Sequence, residues 1–237
     1  MAGVTVPRRA RSPEHKQRRR QDILDRAWEL FESRPWAELT MSDVAGASGL
    51  SKAALYRYFD TKEALFLEVE AARLGEWLQA LGSELDRLPR PASPESVAAL
   101  LADSLARRPA LPRLLALLHV SLEQNVPFDA ALAFKRVLHD RLVRLGGRLE
   151  AALGSLPPGG GLRAALHLHA LCIGLWQMAD AGPVMRRLLD RPELRSLRVD
   201  YGPALKHGAA NLLRGLAAAP ETSGKHPQRG GSSSGGC

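Results

Sequence analysis

The sequence contains little cysteine, few aromatic residues and no long uninterrupted apolar run. Its only two cysteines, Cys172 and Cys237, cannot form a disulfide framework or a structural zinc site. Arg, Asp, Pro or Gly interrupts every apolar stretch before it reaches the roughly 20 residues that a membrane-spanning helix needs. The basic N-terminus is not followed by the apolar segment of a secretory signal. We therefore expect a reduced, cytoplasmic protein with no membrane partner.

The composition is that of a folded chain, and its charge is unevenly distributed. Hydrophobic residues make up 45% and charged residues 24% of 237 residues, which is enough for one or two domains with a sizeable core. The net charge is +8, and most of it comes from a cluster of basic residues before residue 21: Arg8, Arg9, Arg11, Lys16, Arg18, Arg19 and Arg20. Such an arm on a nearly neutral body indicates contact with a polyanion, although an arm that only aids solubility is the alternative.

The sequence predicts an all-α fold, because no segment combines apolar/polar alternation with β-branched residues. Ser12 and Pro13 are typical of a helix start, and the apolar stripe that follows ends at Pro35. Proline- and glycine-rich linkers occupy 89–94 and 154–161. We expect four parts: a basic disordered arm over 1–15, a DNA-binding helix-turn-helix domain over 16–64, a helical regulatory and dimerisation domain over 65–219, and a disordered tail over 220–237.

A helix-turn-helix is predicted within residues 40–59. Thr40 caps a short helix with Asp43 at its third position, and Gly49 is placed to end that helix in a left-handed conformation. Ser51 then caps a second segment over 52–59. Two short helices joined by a tight glycine-containing turn form this motif. A long helix that starts near Lys62 and reaches about Leu88 follows.

The two sides of the second short helix differ in chemistry. Leu55 and Phe59 share one face and, with Val44 and Ala45, are candidate core residues. The neighbouring arc of roughly 140° offers a methyl, a phenol and two cations, which suit base edges in a DNA major groove. These candidate base-reading residues are Lys52, Ala53, Tyr56 and Arg57, and the candidate phosphate contacts at the edges are Thr40, Ser42, Tyr58 and Lys62. The alternative is a plain helical hairpin whose charged residues only solvate its surface.

Residues 39–65, LTMSDVAGASGLSKAALYRYFDTKEAL, closely resemble the DNA-binding domain of tetracycline-repressor (TetR) family regulators. The resemblance covers about residues 16–80 and implies a homodimeric, all-helical repressor. Such a repressor binds a palindromic double-stranded DNA operator and releases it when a small hydrophobic effector binds the C-terminal domain. By position, the base-reading and phosphate-contacting sets above match the family pattern. Ala54 and Gly46 depart from the commonest residues, and Gly46 costs its helix up to about 1 kcal/mol if it lies inside it.

The C-terminal half offers candidates for an effector cavity, which the resemblance implies. Ligand sites between helices are largely apolar, and the wall candidates are Trp77, His119, Phe134 and Trp176. The alternative is that each is an ordinary core residue. His167 and His169 point about 200° apart on a helix and cannot share an ion, so we expect no metal site. We expect no cofactor either.

Two predicted helices, over about 162–181 and 201–218, are rich in leucine and in small residues. The small residues are Ala164, Ala165, Ala170, Gly174, Ala204, Gly208, Ala209, Ala210 and Gly215. Small residues allow close helix approach, and in the resembled family the last two long helices usually form a four-helix dimer interface. Burial within one subunit is the alternative.

Three functions remain for comparison. The first is the ligand-responsive repressor described above, and the second is a constitutive DNA-binding protein or activator whose C-terminal domain only dimerises. An enzyme is disfavoured, because the sequence has no nucleophile elbow or metal-ligand cluster. The glycines at 159–161 lack the strand, lysine and hydroxyl of a phosphate-binding loop.

Overall fold

The computed structural model describes residues 13–117 and 126–218. Within these ranges the chain forms ten α-helices and two short 3₁₀ turns, and no strand. The helices are α1 Pro13–Ser33, α2 Met41–Ala47, α3 Lys52–Tyr56, α4 Lys62–Leu85, α5 Pro94–Ala106, α6 Ala110–Leu117, α7 Phe128–Leu153, α8 Gly160–Ala179, α9 Pro183–Leu189 and α10 Tyr201–Ala218. The predicted all-α fold is confirmed.

The first three helices form a small N-terminal unit around one apolar core. Ile23, Ala27 and Phe31 of α1 are fully buried, since their spacing places them on one stripe of the helix. Val44 and Leu55 are buried against that stripe from α2 and α3. The core residues predicted from the helical wheel are therefore confirmed.

Helix α4 belongs to both halves of the molecule. Thr61 caps it by accepting a hydrogen bond from the Ala64 N–H at 3.0 Å. Its first turns bury Leu65 and Phe66 in the N-terminal unit, and its 24 residues give a length of about 36 Å. The helix thus passes without a break from the N-terminal unit into the C-terminal bundle.

The C-terminal bundle packs α4, α5, α7, α8 and α10 around a leucine-rich core. Helices α7 and α8 cross very closely at two glycines. A Cβ on Gly161 would lie 2.0 Å from the carbonyl oxygen of Gly146, and a Cβ on Gly146 would lie 2.6 Å from the Leu162 nitrogen. Only glycine fits at both positions, because each Cβ would overlap the backbone of the other helix.

Several element boundaries differ from the sequence prediction. Helix α1 already includes residues 13–15, which were placed in the arm, and the rest of the arm and the tail beyond residue 218 lie outside the described ranges. The second helix of the motif was predicted over 52–59, but α3 ends at Tyr56 and a turn follows at residues 57–58. Helix α4 ends at Leu85 and not near Leu88. No helix in the described residues is long and apolar enough to span a membrane.

Candidate nucleic-acid interface and interior cavity

Helices α2 and α3 are each capped at the start by a side chain, and a left-handed glycine lies in the turn between them. Thr40 and Asp43 form a reciprocal capping box, in which the Asp43 N–H donates to Thr40 Oγ1 at 3.2 Å and the Thr40 N–H to Asp43 Oδ2 at 2.9 Å. The hydrogen bonds from Thr40 lower the pKa of Asp43. Ser51 Oγ accepts from the Ala54 N–H at 3.2 Å, and Gly49 has a φ of +64°. The predicted caps and left-handed glycine are confirmed.

The predicted base-reading residues form one exposed surface on α3 and on the residue that follows it. Lys52, Ala53, Tyr56 and Arg57 are all exposed, whereas Leu55 on the opposite side is fully buried. The Lys52 ammonium lies 6.0 Å from the centre of the Tyr56 ring. No carboxylate in the described part of the chain pairs with Lys52 or Arg57. The surface therefore presents two cations, a phenol and a methyl to a partner.

The predicted phosphate contacts lie around this surface in different environments. Thr40 and Ser42 are exposed at the start of α2, and Tyr58 is half-buried against the core. The Lys62 ammonium donates to the carbonyls of Trp36 and Leu39 at 3.2 and 2.9 Å. Two of its three N–H groups therefore hold the segment before α2, and the ammonium also lies 4.0 Å from the centre of the Trp36 ring.

Two arginines of the basic cluster before residue 21 make structural contacts. The Arg19 guanidinium donates to the Ser48 carbonyl at 3.0 Å, and Arg20 donates to Glu68 of α4 at 2.7 Å and to the Tyr58 carbonyl at 3.0 Å. Arg20 also lies 4.3 Å from the centre of the Phe59 ring. The sequence indicates this inward position of Arg20, because residues 20, 23 and 27 share one face of a helix and Ile23 and Ala27 belong to the buried stripe.

An apolar cavity lies inside the C-terminal bundle, between α4, α5, α6, α7 and α8. Its volume is about 30 Å³, and leucine side chains from all five helices form most of its wall. Trp77 lines it and donates from Nε1 to the buried Ser104 hydroxyl at 3.0 Å. This volume is roughly that of one water molecule, well below the about 300 Å³ at which ligand pockets begin.

The other predicted wall residues lie elsewhere. Phe134 is buried on α7 outside the cavity wall, and Trp176 packs edge-on against Tyr201 with ring centres 5.2 Å apart. His119 falls outside the described residues. The wall instead includes His169 and Cys172. Burial disfavours the thiolate and raises the pKa of Cys172 to about 12. No sequence pattern separated these residues from the rest of the core.

The small residues of α8 and α10 lie in three environments, and two of them, Ala204 and Gly208, are half-buried. Ala164, Ala165, Ala209 and Ala210 are buried within the protomer. Three more, Ala170, Gly174 and Gly215, are exposed on the outer faces. Close packing inside one subunit therefore accounts for the buried group, and the exposed group forms part of an open face.

Comparison with known families assigns both halves of the chain. Residues 23–69 match a family model described as bacterial regulatory proteins, tetR family, and residues 71–220 match one described as tetracyclin repressor-like, C-terminal domain. The chain belongs to the TetR family. It is a transcriptional regulator with a helix-turn-helix DNA-binding domain, and the TetR family is one of regulators and not of enzymes.

Curated relatives in the TetR family resemble this chain over the DNA-binding part. An uncharacterized HTH-type transcriptional regulator of Mycobacterium tuberculosis is 48% identical over 56 residues, which cover 22% of this chain and 28% of the relative. The HTH-type regulator YfiR of Bacillus subtilis is 35% identical over 68 residues, covering 29% and 33%. The matches therefore span about a third or less of each relative.

Solved TetR-family structures resemble the fold over most of its length. The fatty acid degradation regulator FadR of Bacillus halodurans gives a TM-score of 0.53 at 17% identity, over 84% of this chain and 96% of that one. FadR of Bacillus subtilis, solved with stearoyl-CoA, gives 0.52 at 16% identity, over 84% and 97%. At this identity the likeness establishes the fold alone.

Proposed function

We propose that this TetR-family regulator is a ligand-responsive repressor. It binds a palindromic operator as a homodimer and leaves the operator when a small hydrophobic effector enters the C-terminal bundle. The observation that carries the proposal is the continuity of α4, which joins the end of the helix-turn-helix to the cavity wall.

Helix α4 connects the two sites mechanically. Thr61 and Lys62 start it four to five residues after Arg57, and Trp77 in the cavity wall lies about 22 Å further along the same helix. Leu74, Leu78 and Leu81 also line the cavity from α4. A ligand that pushes on this wall therefore moves the helix that supports the DNA-binding unit.

The exposed surface of α3 supplies the DNA contacts. Arg57 and Lys52 reach guanine acceptors or phosphates, and Ala53 offers a methyl for contact with thymine. Tyr56, 42% exposed, adds a hydroxyl donor at the same surface. These roles follow from exposure and chemistry, and Thr40, Ser42, Tyr58 and Lys62 set the register from the edges.

A dimer makes this small surface selective. Helix α3 has only five residues, so one copy contacts few bases. Two copies about 34–36 Å apart read successive major-groove faces of a palindrome. The outer faces of α8 and α10, where Ala170, Gly174 and Gly215 are exposed, provide the pairing surface.

The small size of the cavity explains how ligand binding would release the operator. A drug-sized ligand needs about 300 Å³ or more, whereas the cavity measures about 30 Å³. Binding therefore requires the helices around the cavity, α4 to α8, to separate. If the separated form mismatches the operator, DNA weakens ligand binding by the same factor by which ligand weakens DNA binding. The stearoyl-CoA complex of B. subtilis FadR is one example of this fold with a ligand that carries a long alkyl chain.

The small cavity also favours a second candidate, a constitutive DNA-binding protein or activator. In this alternative the leucines around the cavity are only core, and the C-terminal bundle serves dimerisation alone. Both candidates share the DNA-binding surface, and they differ in whether a small molecule changes operator affinity.

Electrophoretic mobility shifts with the DNA upstream of the protein's own gene test the proposal. We expect a specific complex of two chains per site, and its loss when an effector from a library of hydrophobic compounds is added. Specific binding that no compound affects would favour the constitutive protein. A monomer that prefers no promoter fragment over random DNA would contradict both candidates.

A further inference from the structure

A row of arginines lines a cleft between α4 and α7 on the surface of the C-terminal bundle. Arg141, Arg144 and Arg148 are three and four residues apart, so they share one face of α7. The cleft has a volume of about 320 Å³, and all three guanidinium groups line it. It is separate from the DNA-binding surface.

The positive charge of this cleft is only partly compensated. Arg148 is 3.4 Å from Asp86, but no carboxylate in the described ranges pairs with Arg141 or Arg144. Arg141 donates to the backbone carbonyl of Ala71, and its pKa is lowered by burial and by the neighbouring charge of Arg144. An anion in the cleft would stabilise both guanidinium groups.

Two glycines on α4 create the space that the guanidinium groups occupy. A Cβ on Gly75 would lie 2.6 Å from Arg141 Cζ, and a Cβ on Gly82 would lie 1.7 Å from Arg148 Nη1. The absent side chains let Arg141 and Arg148 lie flat against α4. The two glycines therefore hold the guanidinium groups of Arg141 and Arg148 inside the cleft, beside the exposed Arg144.

The cleft and the apolar cavity share a wall. Leu78 of α4 and Leu145 of α7 line both. These side chains are the boundary between a site with three cations and an interior lined by leucine. A molecule with an apolar chain and a charged head would meet both environments if Leu78 and Leu145 moved apart.

We propose that Arg141, Arg144 and Arg148 bind the anionic head of an amphipathic effector whose alkyl chain enters the cavity between Leu78 and Leu145. The inference rests on the proposed function, since it specifies the chemical class of the effector. The head is a carboxylate or a phosphate, because guanidinium groups bind both through paired hydrogen bonds. A neutral apolar compound fills only the interior half of this site.

Isothermal titration calorimetry of the full chain without DNA tests the inference. The probes are dodecanoate, dodecyl phosphate and dodecanol, each below its critical micelle concentration. We expect at least one anion to bind about tenfold or more tightly than dodecanol, since a hydrogen bond to a charged group is worth about that factor. The preferred anion identifies the head group as carboxylate or phosphate.

Arg144→Gln is the decisive variant, because Arg144 is exposed and its loss leaves the fold intact. It should weaken the preferred anion about tenfold and leave dodecanol binding unchanged. Arg144→Lys should restore part of the affinity. Arg136→Gln is the matched control, since Arg136 is an exposed arginine on α7 outside the cleft. We expect it to change none of the affinities.

Equal binding of the anions and dodecanol, with no effect of Arg144→Gln, would overturn the inference, and so would the failure of all three probes to bind. Mobility shifts on the same preparation separate this outcome from failure of the proposed function. Specific operator binding without binding of any anion would exclude the arginine site and leave the DNA-binding role standing. Absence of operator binding would contradict the proposed function instead.

Discussion

Arg20 of α1 donates to both carboxylate oxygens of Glu68 on α4. One of these hydrogen bonds is 2.7 Å long, and the same guanidinium also donates to the Tyr58 carbonyl at 3.0 Å. A single side chain therefore joins the first helix, the end of the DNA-binding turn and the helix that leads to the cavity. This contact joins α1 to α4 beside the Arg73–Asp25 ion pair and the packing of Phe31 on Phe66.

Replacing Glu68 with Gln should lower the free energy of unfolding by about 0.5–1 kcal/mol, because the pair is partly exposed and the change removes its charge. Urea denaturation measures the effect. Glu29→Gln is the control, since Glu29 pairs with Arg26 on an exposed surface of α1. Equal effects of the two substitutions would show that the Arg20 contact has no special role.

Gly46 and Gly49 should respond in opposite ways to alanine. Gly46 lies inside α2, and a Cβ there meets nothing within 4 Å, so Gly46→Ala should stabilise the protein by about 0.5–1 kcal/mol. Gly49 has a φ of +64°, so Gly49→Ala should destabilise it by about 1–2 kcal/mol. Thermal and urea unfolding of both variants check the signs. Stabilisation by Gly49→Ala would contradict the assigned backbone conformation.

Replacing Tyr56 or Arg57 with Ala should weaken specific operator binding by about 1–3 kcal/mol for each good base contact. Binding to random DNA should change less, because it depends mainly on phosphate contacts. Fluorescence anisotropy with both DNAs measures the difference, and Arg187→Ala, an exposed change on α9, is the control. Equal losses on both DNAs would mean that α3 presents a different face to the bases.

Deleting residues 1–11 should weaken binding to all DNA and flatten its salt dependence. The deleted segment carries Arg8, Arg9 and Arg11, so the slope of log affinity against log salt should decrease by up to about 3. Titrations at several salt concentrations measure the slope. An unchanged slope would show that these three cations make no phosphate contact.

Ser104→Ala should destabilise the C-terminal bundle by about 1–3 kcal/mol, because it leaves the buried Trp77 Nε1–H without its acceptor. Urea unfolding followed by circular dichroism measures the loss. Ser83→Ala is the control, since Ser83 is exposed on α4 and should change stability by less than about 0.5 kcal/mol. A neutral Ser104→Ala would mean that Trp77 finds another partner.

The local structure of the N-terminal unit followed from sequence because its signals are short-range. Thr40, Ser51 and Thr61 each accept from the backbone N–H three residues further along, and Gly49 adopts a left-handed conformation. Each cap and turn depends on residues only a few positions apart, so the sequence alone is enough to predict it. The length of α3 was overestimated, since apolar spacing continues to Phe59 although the helix ends at Tyr56.

The cavity was harder to predict because it depends on contacts between distant helices. Trp77 was identified, but Phe134 and Trp176 lie outside the wall, and most of the wall is leucine that resembles any other core leucine. The same limit applied to the arginine cleft, since Arg141 meets Ala71 and Gly75 only after α7 packs on α4. Sequence periodicity gives the face of one helix, whereas a cavity requires the arrangement of several.

Cys172 gives the molecule a built-in chemical reporter. Its thiol lines the cavity, is 2% exposed, and has a pKa raised to about 12, so alkylating reagents should react with it extremely slowly in the closed form. Any event that parts α4 from α8 brings water and reagent to this sulfur. With Cys237 replaced by Ser, Cys172 is the one remaining thiol. The alkylation rate of such a variant therefore measures how often the interior opens, without an added label.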